Sequence, residues 1–249
     1  MPRLRDLDLH EHLGDPARKA AFVTPMFDLI APRYDDFTRL FSFGMDRVWK
    51  HALLEQALDA PTELRDALDL ACGTGDLAFS VATARTVARV RGIDASTEML
   101  VLARARAAEA TLDNRVEFRE GDLAALPAAD AGTDLVTCGY GFRNANLAPA
   151  LAECARVLRP GGTLAVLDFY RPEPAFWRAL FLGYLRAAGN LVGWWWHREP
   201  VAYGYIAHSI AAYVTIAEFT TAAQNAGFEI VAVKSYLGGG VATHILRRR

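Results

Sequence analysis

Ala67-Leu68-Asp69-Leu70-Ala71-Cys72-Gly73-Thr74-Gly75-Asp76-Leu77-Ala78-Phe79-Ser80-Val81-Ala82 is the stretch from which the fold is read. An apolar run meets two closely spaced glycines and then resumes. That pattern predicts a buried strand, a sharp turn and the start of a helix. Gly73 and Gly75 let a backbone approach a ligand more closely than any Cβ would allow, and the helix start offers N–H groups with no intrahelical partner. A second apolar run, Val87 to Ile93, ends in Asp94. An acid at the carboxyl end of the next strand can accept both ribose hydroxyls of an adenosine, and in dinucleotide enzymes about 20 residues also separate the glycine turn from the acid. The turn here is Gly-Thr-Gly-Asp, and Ala78 holds the third glycine position, which a looser fingerprint tolerates. Spacing alone therefore leaves a nicotinamide cofactor open.

A chain of 249 residues has room for one large α/β domain with an elaboration, whereas two full domains would be crowded. With 52% hydrophobic and 22% charged residues it can bury a sizeable core and does not have a disordered composition. A net charge of −2 lacks the basic excess of a nucleic-acid binder, so no nucleic-acid partner is expected. Arg247-Arg248-Arg249 reads as a solvated tail before a phosphate or membrane contact. Cys72, Cys138 and Cys154 are widely spaced and form no C-x-x-C pair, which predicts small core residues rather than zinc ligands or a disulfide framework. No metal site is expected. Met1 to Gly14 is charged, unlike a signal peptide, and no run reaches the ~18 apolar residues of a spanning helix. The expected location is cytoplasmic.

Along the chain, strand patterns at 67–70, 87–94, 116–119, 135–138 and 163–169 alternate with helical ones at 77–84, 99–110 and 148–158. This alternation predicts right-handed crossovers and a mostly parallel sheet. Arg159-Pro160-Gly161-Gly162 is expected to stop the last of these helices. Upstream, Ala20 to Ile30 and Val48 to Leu58 read as helices joined by an aromatic linker from Pro32 to Gly44. Downstream, Phe176 to Ala188 and Val201 to Val214 read as apolar helices flanking Trp194-Trp195-Trp196. Phe228 to Tyr236 and Val241 to Leu246 then flank Gly238-Gly239-Gly240 as an antiparallel hairpin. The expected division is a helical cap (1–60), a cofactor-binding core (66–170), a lid insertion (171–214) and a C-terminal helix with hairpin (215–249).

Each candidate motif has a plain structural alternative. Gly73-Thr74-Gly75 could be only a strand-to-helix turn, but Asp94 and the following Ala95 to Leu100 favour a ligand site. Asp122, in Gly121-Asp122-Leu123 after the third strand, can accept from the exocyclic amine of an adenine or simply make a turn. Arg143 and Asn144 follow the fourth strand inside Gly139-Tyr140-Gly141-Phe142-Arg143-Asn144, where open α/β sheets hold ligands. The alternative there is a surface loop with a salt-bridged arginine. The three tryptophans cannot all face one core. Some can line an apolar pocket or meet a membrane interface, or all can serve as partial core packing. His197 and His208 are structural histidines by default and proton acceptors in the sharper reading.

The Asp-x-x-Cys-Gly-Thr-Gly-Asp form resembles the first motif of class I S-adenosylmethionine-dependent methyltransferases. Nearly the whole chain resembles the ubiquinone/menaquinone biosynthesis C-methyltransferase family. The likeness is carried by Met26-Phe27-Asp28 with Tyr34-Asp35, by Ser42-Phe43-Gly44 with Arg47 and Trp49-Lys50, by Tyr140 to Asn144, by Tyr203 to Ile210 and by Gly239 to His244. Cys72, Gly139 and His208 stand where the family commonly has glycine, serine and an acid, and the tryptophan run is not part of its pattern. The resemblance implies a Rossmann-like α/β fold, a seven-stranded and mostly parallel sheet with an antiparallel C-terminal strand, and a helical lid. It implies S-adenosyl-L-methionine held by Ala71, Gly73, Thr74, Gly75 and Asp94, with Ala95, Met99, Asp122, Leu123 and Gly139. It implies methylation of a reduced prenylated quinone, demethylmenaquinol before a ubiquinone-pathway benzoquinol, with Arg143, Asn144, Tyr34 and His208 at the reacting centre. A homodimer and a peripheral contact at the inner face of a membrane stay open. So do O-, N- or C-methylation of another apolar aromatic molecule, and cofactor binding without turnover.

Overall fold

The computed structural model describes residues 16–59, 64–84, 87–197 and 201–249. The expected N-terminal arm lies largely outside these residues, as do the side chains of Trp196 and His197. Seven strands form one sheet in the order β3-β2-β1-β4-β5-β7-β6: β1 (Asp66–Leu70), β2 (Arg89–Asp94), β3 (Val116–Glu120), β4 (Thr133–Gly139), β5 (Leu158–Phe169), β6 (Phe228–Tyr236) and β7 (Val241–Arg248). The pairs among β1 to β5 are parallel, and β7 runs antiparallel to both β5 and β6. β1 is central and buried after its first residue, as a parallel strand covered on both faces must be.

Helices α3 (Met45–Leu58), α4 (Asp76–Thr83) and α5 (Thr97–Glu109) cover one face, where Trp49, Leu53, Val81 and Leu100 join one buried cluster. On the other face, α6 (Leu147–Val157) and α9 (Ile216–Asn225) contribute Leu151, Cys154 and Phe219. All three cysteines are free and buried. Ser96 caps α5 by accepting from Met99 N–H, and Thr215 with Glu218 forms a capping box on α9. The order of strands reverses between β1 and β4, so a crevice opens beyond their carboxyl ends.

Above that crevice lies a helical cover made of α1 (Pro16–Ile30), α2 (Tyr34–Phe41), α7 (Ala175–His197) and α8 (Val201–Ala212). Met26, Ile30, Phe37, Val192 and Tyr205 share one of its clusters. Three local expectations are corrected here. Arg247 and Arg248, expected in a solvated tail, are the last two residues of β7, paired with Thr163 and Phe228. The segment expected as an aromatic linker contains α2, a helix with Asp35 and Asp36 in its first turn, Arg39 in its last and Phe37 buried. That charge order suits the helix dipole. Likewise, α6 ends at Val157, and Leu158 to Gly162 belongs to β5, with Gly161 at φ +78°. No helix among the described residues is long and apolar enough to cross a membrane.

Candidate functional site

The strand-end loops and the cover enclose a cavity of about 420 Å³. Eight residues expected at a cofactor line it: Ala71, Gly73, Asp94, Ala95, Met99, Asp122, Leu123 and Gly139. Asn144 and Tyr34 line it too. Asp94 ends β2 and accepts Gly73 N–H at 2.8 Å on one carboxylate oxygen and Ser96 N–H at 2.9 Å on the other. Burial pushes its pKa up, and these backbone donors oppose the shift. Each oxygen keeps a further lone pair for a ligand hydroxyl. Asp122 is exposed and accepts Ala124 N–H at 2.9 Å.

Gly73 sits at φ +53°, and a Cβ there would meet nothing closer than Tyr34 Cε1 at 3.9 Å, so any side chain would stand in the cavity. A Cβ at Gly139 would meet Leu77 Cδ1 at 2.8 Å, and one at Gly141 would meet Ala71 Cβ at 2.6 Å. Gly139 and Gly141 are thus glycines for packing against Leu77 and Ala71, whereas Gly73 keeps the cavity clear of a side chain beside the acid at Asp94. Thr74 and Gly75 do not line this cavity. Thr74 is buried and donates to Asp35 at 2.8 Å, and it accepts from Arg106 Nη1 at 2.8 Å. Gly75, at φ +94°, is the left-handed N-cap of α4, where a Cβ would strike Phe79 at 2.7 Å.

A polar recess of about 30 Å³ adjoins the large cavity through Ala71, Gly73 and Gly139 and contains Asp35, Lys50, Asp69 and Asp76. Asp69 is buried, accepting Thr137 Oγ1–H at 2.7 Å and Ala78 N–H at 3.0 Å. Burial pushes its pKa up to about 7.

On the other side of Tyr34 and Tyr140 is an apolar cleft of only about 40 Å³, room for about three waters. Met26, Phe37, Phe41, Phe169, Leu185 and Ile206 are among its walls, and Arg143 is the one charged lining residue among the described residues. The guanidinium is buried: Nη1 donates to Ser209 Oγ at 2.7 Å and to Asn144 Oδ1 at 3.2 Å, and Nε lies 3.8 Å from Asp168 Oδ1. Asp168 also accepts the Arg143 backbone N–H at 3.1 Å. Asn144 Oδ1 accepts a second donor, the hydroxyl of Tyr205, at 3.2 Å. Burial raises the phenols of both Tyr34 and Tyr205 to about 12. His208 is half-buried on α8 and lines neither space.

Among the residues at the site that went unforeseen are Asp168 and Tyr140, besides Lys50, Asp69, Tyr205 and Ser209. Asp168 was legible as an acid closing the apolar run Leu164 to Leu167. Tyr140 takes φ +64°, a conformation that costs about 1–3 kcal/mol in a non-glycine residue. Its hydroxyl donates to Asp46 at 2.8 Å and its ring lies 5.1 Å from Phe169, which offsets that cost.

A family model described as the ubiE/COQ5 methyltransferase family matches residues 16–248. A demethylmenaquinone methyltransferase from Deinococcus radiodurans is 39% identical over 202 residues, covering 81% of this chain and 82% of its own. A ubiquinone/menaquinone biosynthesis C-methyltransferase from Dinoroseobacter shibae is 36% identical over 231 residues, 91% of this chain and 90% of its own. Among solved structures, a geranyl diphosphate methyltransferase in complex with GPP and sinefungin superposes with a TM-score of 0.62 at 15% identity, covering 82% of this chain and 77% of that one. At that identity the likeness speaks for the fold alone.

Proposed function

This chain belongs to the ubiE/COQ5 methyltransferase family, and from that premise we propose that it methylates a ring carbon of a reduced prenylated quinone, with demethylmenaquinol as the first acceptor to test. The observation that carries this reading is the pairing of two spaces across Tyr34 and Tyr140: a polar cavity with acids at the strand ends, and an apolar cleft with one buried cation. S-adenosyl-L-methionine, when bound, supplies an electrophilic methyl group on a sulfonium.

Asp94 binds the ribose hydroxyls, Asp122 and Leu123 meet the adenine, and the bare backbone of Gly73 and Gly139 accommodates the rest. Arg143 is always charged and cannot act as an ordinary base. Held by Asp168 and Ser209, it favours ionisation of a phenol beside it, and the phenolate enriches the neighbouring ring carbon in electrons. Tyr34 and Tyr205, with phenol pKa values of about 12, stay protonated; Tyr34 donates to a ring oxygen, while the one O–H of Tyr205 goes to Asn144. Asn144, shared between Arg143 and Tyr205, fixes their relative positions. His208 lines neither space, so the proton from the methylated carbon passes to water oriented by Arg143. The cleft is narrow, so α7 and α8 act as a lid that must part from α1 and α2 to admit an acceptor.

A peripheral contact at the inner face of a membrane belongs to the same reading. Phe43 is 78% exposed at a left-handed turn position and stacks on Tyr184 of α7, where Trp194 and Trp195 are 64% and 73% exposed. The deciding assay incubates purified protein with labelled S-adenosylmethionine and a panel of naphthoquinols and benzoquinols of short and long tail, reading product mass and methyl position. Methyl transfer to oxygen, or to no quinol at all, would overturn the proposal. Liposome flotation with light-scattering mass separates a lipid contact from a homodimer.

A further inference from the structure

The polar recess beside the large cavity has no use for an adenosine or a quinol. It is lined by Asp35, Lys50, Asp69 and Asp76 and opens into the cavity at Gly73, the residue whose missing side chain leaves the passage clear. Among the described residues, the charged groups that line the large cavity are Asp94, Glu120 and Asp122, all acids. Lys50 is the one cation lining either space among the described residues. We propose that Lys50 binds the carboxylate of an α-amino acid, namely the amino-acid end of the sulfonium cofactor, a role that rests on the reading above.

The geometry supports this in three ways. Lys50 is largely buried on α3, with Nζ 2.9 Å from Asp46 and 3.4 Å from Asp76. Asp76 is already paired with Arg106 at 2.6 Å, and Asp46 already takes the Tyr140 hydroxyl at 2.8 Å. An ammonium has three N–H donors, so Lys50 can keep Asp46 and turn a second donor toward the recess at the expense of the longer Asp76 contact. The acids beside it complement the ammonium carried on the same α-carbon, which gives the recess both halves of a partner for a zwitterion.

Calorimetry with two probes tests the assignment. S-adenosylhomocysteine carries the amino acid, whereas 5′-methylthioadenosine keeps the adenosine and sulfur without it. Lys50→Gln should weaken S-adenosylhomocysteine at least tenfold and leave methylthioadenosine within about twofold, and Lys50→Arg should recover part of the loss. Equal weakening of both probes, or of neither, overturns the proposal and leaves Lys50 as a brace between α3 and α4. If Lys50→Gln does not fold, the wild-type protein decides by comparing S-adenosylhomocysteine with its carboxamide, and equal affinities overturn the proposal. A wild-type protein that binds no probe overturns the cofactor reading itself, and this inference with it.

Discussion

The polar cavity and the apolar cleft share Tyr34 and Tyr140 but are held by different forces. Around the polar cavity, successive strand ends are tied by short bonds between backbone N–H groups and carboxylates, as when Asp94 gathers Gly73 and Ser96. Around the cleft, side chains from α1, α2, α7 and α8 meet over one buried ion pair, Arg143 with Asp168. The first is a property of the sheet and its turns. The second exists only while four helices stay packed, so mutations should separate binding on one side from chemistry and stability on the other.

The largest expected effect is on the cleft. Arg143→Ala takes the counter-charge from buried Asp168, which keeps the backbone N–H donors of position 143 and Phe169, and losing one partner of a buried pair costs about 3–5 kcal/mol. Urea denaturation should register that loss. Single-turnover rates should fall steeply, while calorimetry shows cofactor affinity nearly intact. Arg143→Lys should recover only part, because a point charge lacks the planar fork. Wild-type turnover in Arg143→Ala would remove the cleft from the chemistry.

A pH titration of stability sharpens the contrast, because its two main groups lie outside the cleft. Burial lowers the His244 pKa from 6.5 to about 4, so the stability it contributes is present above 6.5 and is lost as pH falls toward 4. The full shift amounts to something on the order of 3 kcal/mol. Asp69, raised by burial from 3.8 to about 7, acts in the opposite sense: stability is lost as pH rises between those values. The two contributions overlap and oppose each other between about pH 4 and 6.5. In denaturation midpoints, His244→Gln should therefore make stability fall more steeply as pH rises through that window, and Asp69→Asn should make it rise. The same slope in the wild type and in both variants would contradict the assignment.

Next in size is Asp94→Ala, which removes charged hydrogen bonds to ribose and should weaken S-adenosylhomocysteine by roughly 1.5–3 kcal/mol. The Michaelis constant for the quinol should hardly move. Unchanged cofactor affinity in a folded variant would show that the strand-end acid serves only its own turn. The smallest effect belongs to the outer surface of the cover. Phe43→Ser or Trp194→Ser should each reduce partition onto anionic liposomes by about 1 kcal/mol, less than full burial of an aromatic side chain provides. Turnover of a short-tailed quinol in detergent should stay constant.

Sequence alone determined the sheet, the glycine turn and the strand-end acid, because each is written in short-range periodicity and turn chemistry. The apolar run before Gly73 and the one ending at Asp94 could be read without knowing where anything else lay. The helix at Tyr34 to Phe41 escaped that reading although its acidic first turn and basic last turn were present, since the aromatic residues obscured its period. Tertiary structure alone decided the partners. Thr74 is held by Asp35 from 39 positions away, Lys50 reaches Asp76 across 26, and the Tyr140 hydroxyl finds Asp46 across 94. Arg143 meets Asp168 across 25 positions because β4 and β5 lie side by side in the sheet. Such pairs depend on which elements pack against which, and no local pattern of residues encodes that.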